Sequence, residues 1–404
     1  MTEELYIENF GPITQAHILL NKVTVLIGRQ GSGKSTIAKL YALFTWMEKS
    51  LMRRSLTESY ITRYARFRKK YCAYNGIDDY FTDTTTLHFT GFHYTFRYER
   101  GNLQIEEREH GNETFSISKV MYVPAERSIL GSVDHPSQLK GLSQPMMTFA
   151  EEYGNAKTNL KNGYRFPFEQ VGFEYDALND MPKLKLTNGN EIRLSTGSSG
   201  FQSSLPLLLV SKNLTGMVRN SSEHSDLSDK ERKALLKEVQ SILNTTQLSE
   251  EVKAASLRAL SSRFQYSRLV NIVEEMELNL FPDSQKGVLY ELIANTRTLE
   301  TNRLLLTTHS PYIINYLTLA IKANELAHRA IDRPDLLKRI YEIVPSDSLL
   351  ATSDATIYEL GNGTAHRLAD YEGLPSDENF LNERLNETNA AFDSLLEIED
   401  DLNG

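Results

Sequence analysis

Val23-Thr24-Val25-Leu26-Ile27-Gly28-Arg29-Gln30-Gly31-Ser32-Gly33-Lys34-Ser35-Thr36 is the stretch on which the fold turns. An apolar run leads into G-x-x-x-x-G-K-S, and an apolar helical pattern (Ile37, Ala38, Leu40, Ala42, Leu43) follows it. The order strand, glycine-rich turn, helix is what phosphate binding requires. Glycines let backbone N–H groups curl around phosphates, and the helix behind aims its positive N-terminus at them. Gly28, Gly31, Ser32, Gly33 and Thr36 are read as the cradle. Lys34 is read as reaching the β- and γ-phosphates, and Ser35 as a ligand of Mg2+.

Composition bounds the rest. The chain has 404 residues, 40% apolar and 24% charged, with a formal charge of −9. That is the composition of an ordinary globular protein, and the acidic balance argues against a general nucleic-acid attractor. No apolar run approaches the roughly 18 residues of a membrane span, so no membrane partner is expected. The acidic start, Met1-Thr2-Glu3-Glu4, opens a strand and does not read as a signal peptide. The single cysteine, Cys72, excludes an internal disulfide and a cysteine-built zinc site, so a reducing cytoplasm is the expected location.

Along the chain, residues 1–27 read as a strand pair with a Gly11-Pro12 turn, then the strand that enters the glycine loop. The following helix is expected to run to about Ser50. Between 52 and 71, seven arginines and lysines (Arg53 to Lys70) interleave with Tyr60, Tyr64, Phe67 and Tyr71. This reads as a solvated basic helix whose aromatics pack on the lobe beneath, in preference to a grip on a phosphate backbone. Residues 84–122 alternate and read as antiparallel strands, and Asn188-Gly189 marks another hairpin. Residues 228–260 read as polar helix. Residues 269–273 and 304–308 read as buried parallel strands. The acidic end, 377–404, keeps apolar residues from Phe380 to Ile398 and reads as a docked amphipathic helix.

Four later features narrow the chemistry. Leu269-Val270-Asn271-Ile272-Val273 ends in Glu274-Glu275. The first acid is placed to reach Mg2+ and the second to polarise an attacking water. Leu304-Leu305-Leu306-Thr307-Thr308 delivers His309 to the next strand end, where open α/β sheets bind ligands. Ser198-Ser199-Gly200-Phe201-Gln202 opens an apolar helix, leaving N–H donors free for an anion. Leu278-Asn279-Leu280-Phe281-Pro282 follows the acid pair.

In order and spacing these motifs resemble the ATP-binding-cassette ATPases, in particular the branch holding the RecF, SMC and OLD ATPase heads. The resemblance covers most of residues 1–345. It implies an α/β fold: a P-loop NTPase of ABC-ATPase type with an antiparallel β subdomain and a helical insertion (about 215–265). Residues 346–404 would form a C-terminal hairpin and acidic helical element. Glu274 would be the Walker B acid, Glu275 the catalytic glutamate, His309 the switch histidine, and Ser199-Gly200 the core of a degenerate signature. Ile7-Glu8-Asn9-Phe10-Gly11-Pro12 and Val123-Pro124-Ala125-Glu126-Arg127 share the branch's look, the latter near the γ-phosphate side. Phe201 stands where the signature has its second glycine, Met276 where proline is usual, and the Q-loop glutamine is not found. ATP and Mg2+ are the implied ligands, catalysed turnover is implied to be slow, and head-to-tail self-association with ATP in the interface is implied.

Heptads long enough for SMC arms are missing between residues 36 and 198. The roughly 95 residues after His309 show no nuclease-like acid cluster. What remains is similar to the stand-alone ATPase subunits of bacterial anti-phage systems, such as the PARIS ATPase and the Septu or retron-associated ATPase. That resemblance implies an oligomeric scaffold that senses a phage protein and controls a separately encoded nuclease-type effector. A RecF-like repair ATPase acting on DNA is the alternative.

Overall fold

The computed structural model describes residues 3–108, 117–160, 162–220, 229–245, 249–262 and 264–403. β1 (Glu3–Phe10) and β2 (Ile13–Leu20) pair antiparallel through the expected turn, with Leu5 opposite Ile18 and Ile7 opposite Ala16. β3 (Val23–Gly28) is buried along its whole length and feeds α1 (Lys34–Met52). The basic segment that follows is helical only in short pieces: α2 (Glu58–Thr62), a 3-10 turn (Arg63–Ala65) and a π-helical turn (Phe67–Cys72). The break is at Tyr64 and Ala65, which both adopt left-handed backbone. Phe67 and Tyr71 pack inward, whereas Tyr64 is 80% exposed. The Arg66 guanidinium lies over the rings of both Tyr60 and Tyr64.

β4 (Phe81–Thr90), β5 (Tyr94–Glu99) and β6 (Asn102–Glu107) form the antiparallel meander. The expectation of antiparallel strands over 84–122 fails at its end. β7 (Ser118–Val123) runs parallel beside the later acid-bearing strand, because Met121, Tyr122 and Val123 are all buried and leave no solvated face. Part of that expectation, residues 109–116, lies outside the described residues.

Next come α3 (Ile129–Ser132), α4 (Gln144–Asn159) and a small antiparallel sheet of β8 (Tyr164–Arg165), β9 (Gly172–Asp176), β10 (Met181–Lys185) and β11 (Glu191–Arg193). The long α5 (Ser199–Arg219) leads to the insertion, α6 (Asp229–Asn244) and α7 (Glu250–Ser262). The parts of the 215–265 insertion at 221–228, 246–248 and 263 lie outside the described residues. Arg53 ties the insertion down, donating to Glu231 at 3.3 Å and to the Phe264 carbonyl at 3.2 Å.

β12 (Arg268–Glu274), α8 (Pro282–Arg297), β13 (Arg303–Thr308), α9 (Pro311–Arg329) and α10 (Pro334–Ile343) complete the parallel region. β14 (Ala355–Gly361) and β15 (Thr364–Arg367) are the expected C-terminal hairpin. They do not stand apart from residues 1–345, however: β14 pairs parallel with β3, Ile357 opposite Val25. A strand next to β3 satisfies its second edge, which would otherwise leave buried backbone groups unpaired.

Among the described residues one sheet of eleven strands therefore runs β6-β5-β4-β1-β2-β15-β14-β3-β13-β12-β7. The antiparallel part is continuous with the parallel core. Side chains alternate between two apolar layers: Val25, Val273 and Leu306 face one, and Leu26, Ile272 and Leu305 the other with α1. The last helix, α11 (Phe380–Asn403), is capped by Asn379 and seated through Phe380 and Leu381. It is docked only there. Phe392, Leu395, Ile398 and Leu402 are each more than half exposed. No helix among the described residues is long and apolar enough to cross a membrane.

Candidate nucleotide site

The loop between β3 and α1 has the backbone a phosphate cradle needs. Gly28, Gly31 and Gly33 all have positive φ. A Cβ on Gly28 would lie 2.3 Å from the Leu360 carbonyl oxygen of β14, so only glycine fits there. Gly33 is the N-cap of α1 at φ 101°. The Lys34 ammonium, 5% exposed, donates to the carbonyls of Gly28 at 2.8 Å and Arg29 at 2.9 Å. Burial pulls its pKa below the ordinary value, and the charges of Glu275, Glu277 and Glu274 oppose that pull. These acids therefore face Lys34 across the loop. Ser35 is exposed at the helix start, Thr36 is buried, and the Ser32 hydroxyl is buried without a protein partner.

β12 lies next to β13, and β13 next to β3, so the acids, the histidine and the loop share one sheet edge. Glu274 is 6% exposed, with Oε1 buried and unpartnered. Burial and the Glu274 charge together push the neighbouring Tyr122 phenol well above its ordinary pKa. Glu275 sits in left-handed backbone at φ 43°, a conformation costly for a residue with a side chain. Its N–H is held by the Thr307 carbonyl at 3.0 Å and the Thr307 hydroxyl at 3.2 Å. Its carboxylate stands 3.6 Å from His309 Nε2.

Glu277, the third acid of Glu-Glu-Met-Glu, opens the loop after the acid pair and has a site contact that this place in the sequence does not announce. Its Oε1 accepts the His309 N–H at 2.6 Å, and its Oε2 is buried and unpartnered. Ser310 donates to Gln285 at 2.6 Å, and Gln285 donates to the Leu280 carbonyl at 3.0 Å. The histidine turn and the loop after the acids are thus one bonded unit. Met276, at the position where the resembled family has proline, is fully buried in the core.

The Ser-Gly segment opens α5 as expected. Ser198 and Ser199 are exposed, and no side chain caps the helix N-terminus. A Cβ on Gly200 would come 2.9 Å from the Asn279 carbonyl oxygen, and the Ser203 hydroxyl donates to the Leu278 carbonyl at 2.6 Å. Phe201 has a packing reason of its own: its ring stacks on Phe168 and meets Phe166 edge-on at 4.9 Å. Arg127 lies beside the acid pair, with its donors turned to backbone. Fully buried, it turns behind the acids and donates to the carbonyls of Glu274, Glu275, Ser203 and Pro124. Its carbonyl partners were invisible in sequence because they are backbone atoms of remote elements.

Three unpartnered buried oxygens (Ser32 Oγ, Glu274 Oε1 and Glu277 Oε2), beside a buried ammonium and a glycine cradle, fit a triphosphate with its metal. Among the described residues no group of three or more His, Cys, Asp or Glu side chains could hold a metal by itself. Mg2+ at nucleotide sites is usually held by one or two carboxylates together with the phosphates. Ser35 and Glu274 are the residues that would hold it.

No curated protein matches the sequence. Among solved structures, the chain is similar to an SMC head domain from Thermotoga maritima (11% identity, 92% of this chain and 99% of that one, TM-score 0.37). It is also similar to a nucleotide-free ATP-binding cassette from an ABC transporter (12% identity, 92% and 93%, TM-score 0.28). A third is the recombination mediator RecF (10% identity, 91% and 98%, TM-score 0.28). The model of the AAA ATPase domain family matches residues 1–271, which carry the glycine loop and end three residues before Glu274. With that match over 271 of its 404 residues, and with the glycine loop, acid pair and histidine brought to one end of a mixed sheet, the chain belongs to the AAA ATPase domain family.

Proposed function

We propose that the chain is a slow ATPase used as a switch and scaffold in bacterial anti-phage defence. Two or more copies assemble head to tail in the cytoplasm through ATP, and the assembly controls a separately encoded nuclease-type effector in response to a phage protein. One observation carries the assembly step. The exposed, side-chain-uncapped N-terminus of α5 is fixed to the loop that follows the chain's own acid pair. Such an end binds an anion, and a partner's γ-phosphate bound by Lys34 is the anion this reading assigns to it. Ser199 and Gly200 then contact that phosphate.

Mg2+, when bound, neutralises phosphate charge. Lys34 leaves its two loop carbonyls for phosphate oxygens. Glu275 accepts a proton from water as the water oxygen attacks the γ-phosphorus and the bond to the ADP oxygen breaks. His309, 3.6 Å from Glu275, orients the γ-phosphate end of the site. The defence role rests on the sequence resemblance. A direct role on DNA, as in a repair ATPase, draws on a different observation: the 80% exposed Tyr64 beside Arg66.

The test is purification of N-terminally tagged protein from its native host, with and without Lys34→Ala. Co-purifying chains are identified by mass spectrometry. A nuclease-like chain retained only by the ATP-competent form is the expected result. Recovery of DNA and repair proteins, lost on Arg66→Glu with Lys69→Glu and Lys70→Glu, overturns it in favour of the DNA reading.

A further inference from the structure

Arg127 makes more contacts around the acid pair than any reading of the reaction asks of it. It is fully buried, with Nη1 donating to the Glu274 carbonyl at 2.6 Å and the Pro124 carbonyl at 3.2 Å. Nη2 donates to the Glu275 carbonyl at 2.7 Å, and Nε to the Ser203 carbonyl at 3.1 Å. One planar guanidinium therefore holds the backbone of both acids and, through the Ser203 carbonyl, the start of the second turn of α5. The joint is tight on its other sides. A Cβ on Gly131, four residues after Arg127, would lie 2.3 Å from the Gln202 carbonyl oxygen, and one on Gly200 would lie 2.9 Å from the Asn279 carbonyl oxygen. The clamp matters for the acids because Glu275 is in left-handed backbone. Its carboxylate direction is set by how its peptide groups are held, on one side by Thr307 and on the other by Arg127.

We propose that Arg127 is a positioning residue that joins the two nucleotide sites of an ATP-bridged pair: engagement of the α5 N-terminus by the partner's nucleotide is passed through it to this chain's own Glu274 and Glu275. This rests on the head-to-tail pairing proposed above. α5 serves the partner's nucleotide, whereas the acids serve the chain's own, so the arginine couples two sites rather than bracing one. Lysine cannot replace it, because one ammonium does not reach carbonyls on three sides in a plane.

Hydrogen exchange tests the link without relying on turnover. The amides of Ser199–Gln202 and of 275–280 are followed with Mg2+ and a non-hydrolysable ATP analogue. In the intact chain both segments gain protection. In Arg127→Lys, the first keeps it and the second loses it. The Kd for a fluorescent ATP analogue stays within about twofold, and kcat falls about tenfold or more at little changed KM, the loss expected of charge-assisted bonds. Equal protection of 275–280 in both proteins overturns the proposal. Protection of the glycine loop with none at Ser199–Gln202 in the intact chain overturns the pairing itself, which is a separate failure. Should Arg127→Lys not fold, Ser199→Arg blocks engagement from outside. Loss of protection at 275–280 with the glycine loop still protected is then expected, and its persistence refutes the link.

Discussion

Single atoms decide two properties of this molecule. Gly200 is there because its α-carbon passes the Asn279 carbonyl too closely for a methyl group: an added Cβ would lie at 2.9 Å. Gly200→Ala is expected to lift the start of α5 off the loop behind the acids. Turnover should fall at least several-fold while the affinity of the glycine loop for a fluorescent ATP analogue holds, which steady-state kinetics beside a binding titration will show. Glu48 decides the other property. It is fully buried under β5, accepts the N–H groups of His93 at 2.7 Å and Tyr94 at 3.1 Å, and is pushed up to about 7, mainly by burial. The folded protein thus holds a proton between pH 4.5 and about 7 that the unfolded chain has released. Stability from this group is therefore present in acid and is lost as pH rises through that window, by a few kcal/mol in order of magnitude. Glu48→Gln keeps an acceptor oxygen and removes the proton. Its denaturant midpoints should lack the fall between pH 5 and 7 that the unchanged chain shows.

Elements were legible in the sequence where one pattern fixed them, and not where pairing did. The glycine loop, α1, β12 and β13 each announce themselves: a buried strand reads as a continuous apolar run, and its functional residue stands at its end. β7 has the same apolar run but lies next to alternating strands, so sequence assigned it to their meander. Partner choice in a sheet depends on remote backbone, which no local pattern encodes. The same reason hid the partners of Glu277 and Arg127, which are a histidine N–H and four carbonyls. α11 shows the opposite limit. Its amphipathic pattern announced a docked helix, yet beyond its base the apolar side chains from Phe392 to Leu402 stay largely exposed. Burial holds only the start, where Asn379 caps the helix and the Arg29 guanidinium of the glycine loop lies 4.9 Å from the Phe380 ring. A chain ending at Thr388 is therefore expected to melt within about 2 °C of the longer chain, since exposed side chains contribute little to stability. A markedly lower midpoint by calorimetry would show that the exposed face packs on the body after all.

At the scale of the whole molecule, the sheet leaves no seam at residue 345. β14 lies between β3 and β15, and its Leu360 carbonyl closes on Gly28, the first residue of the glycine cradle. Remove β14 and the strand that bears the loop becomes an open edge, with buried N–H and C=O groups left unpaired at a cost of about 1–3 kcal/mol each. Several such groups exceed the typical net stability of a domain, about 5–15 kcal/mol. A chain ending at Pro345 is accordingly expected to lose nucleotide binding and cooperative melting together. A chain ending at Thr388 retains both, and the difference separates loss of β14 from loss of α11. Calorimetry with and without an ATP analogue reads the two outcomes in one experiment. If the chain ending at Pro345 bound nucleotide with unchanged affinity, β3 would hold its loop without a neighbour on that side. The hairpin would then be an appendage to the ATPase sheet and not the strand that completes it.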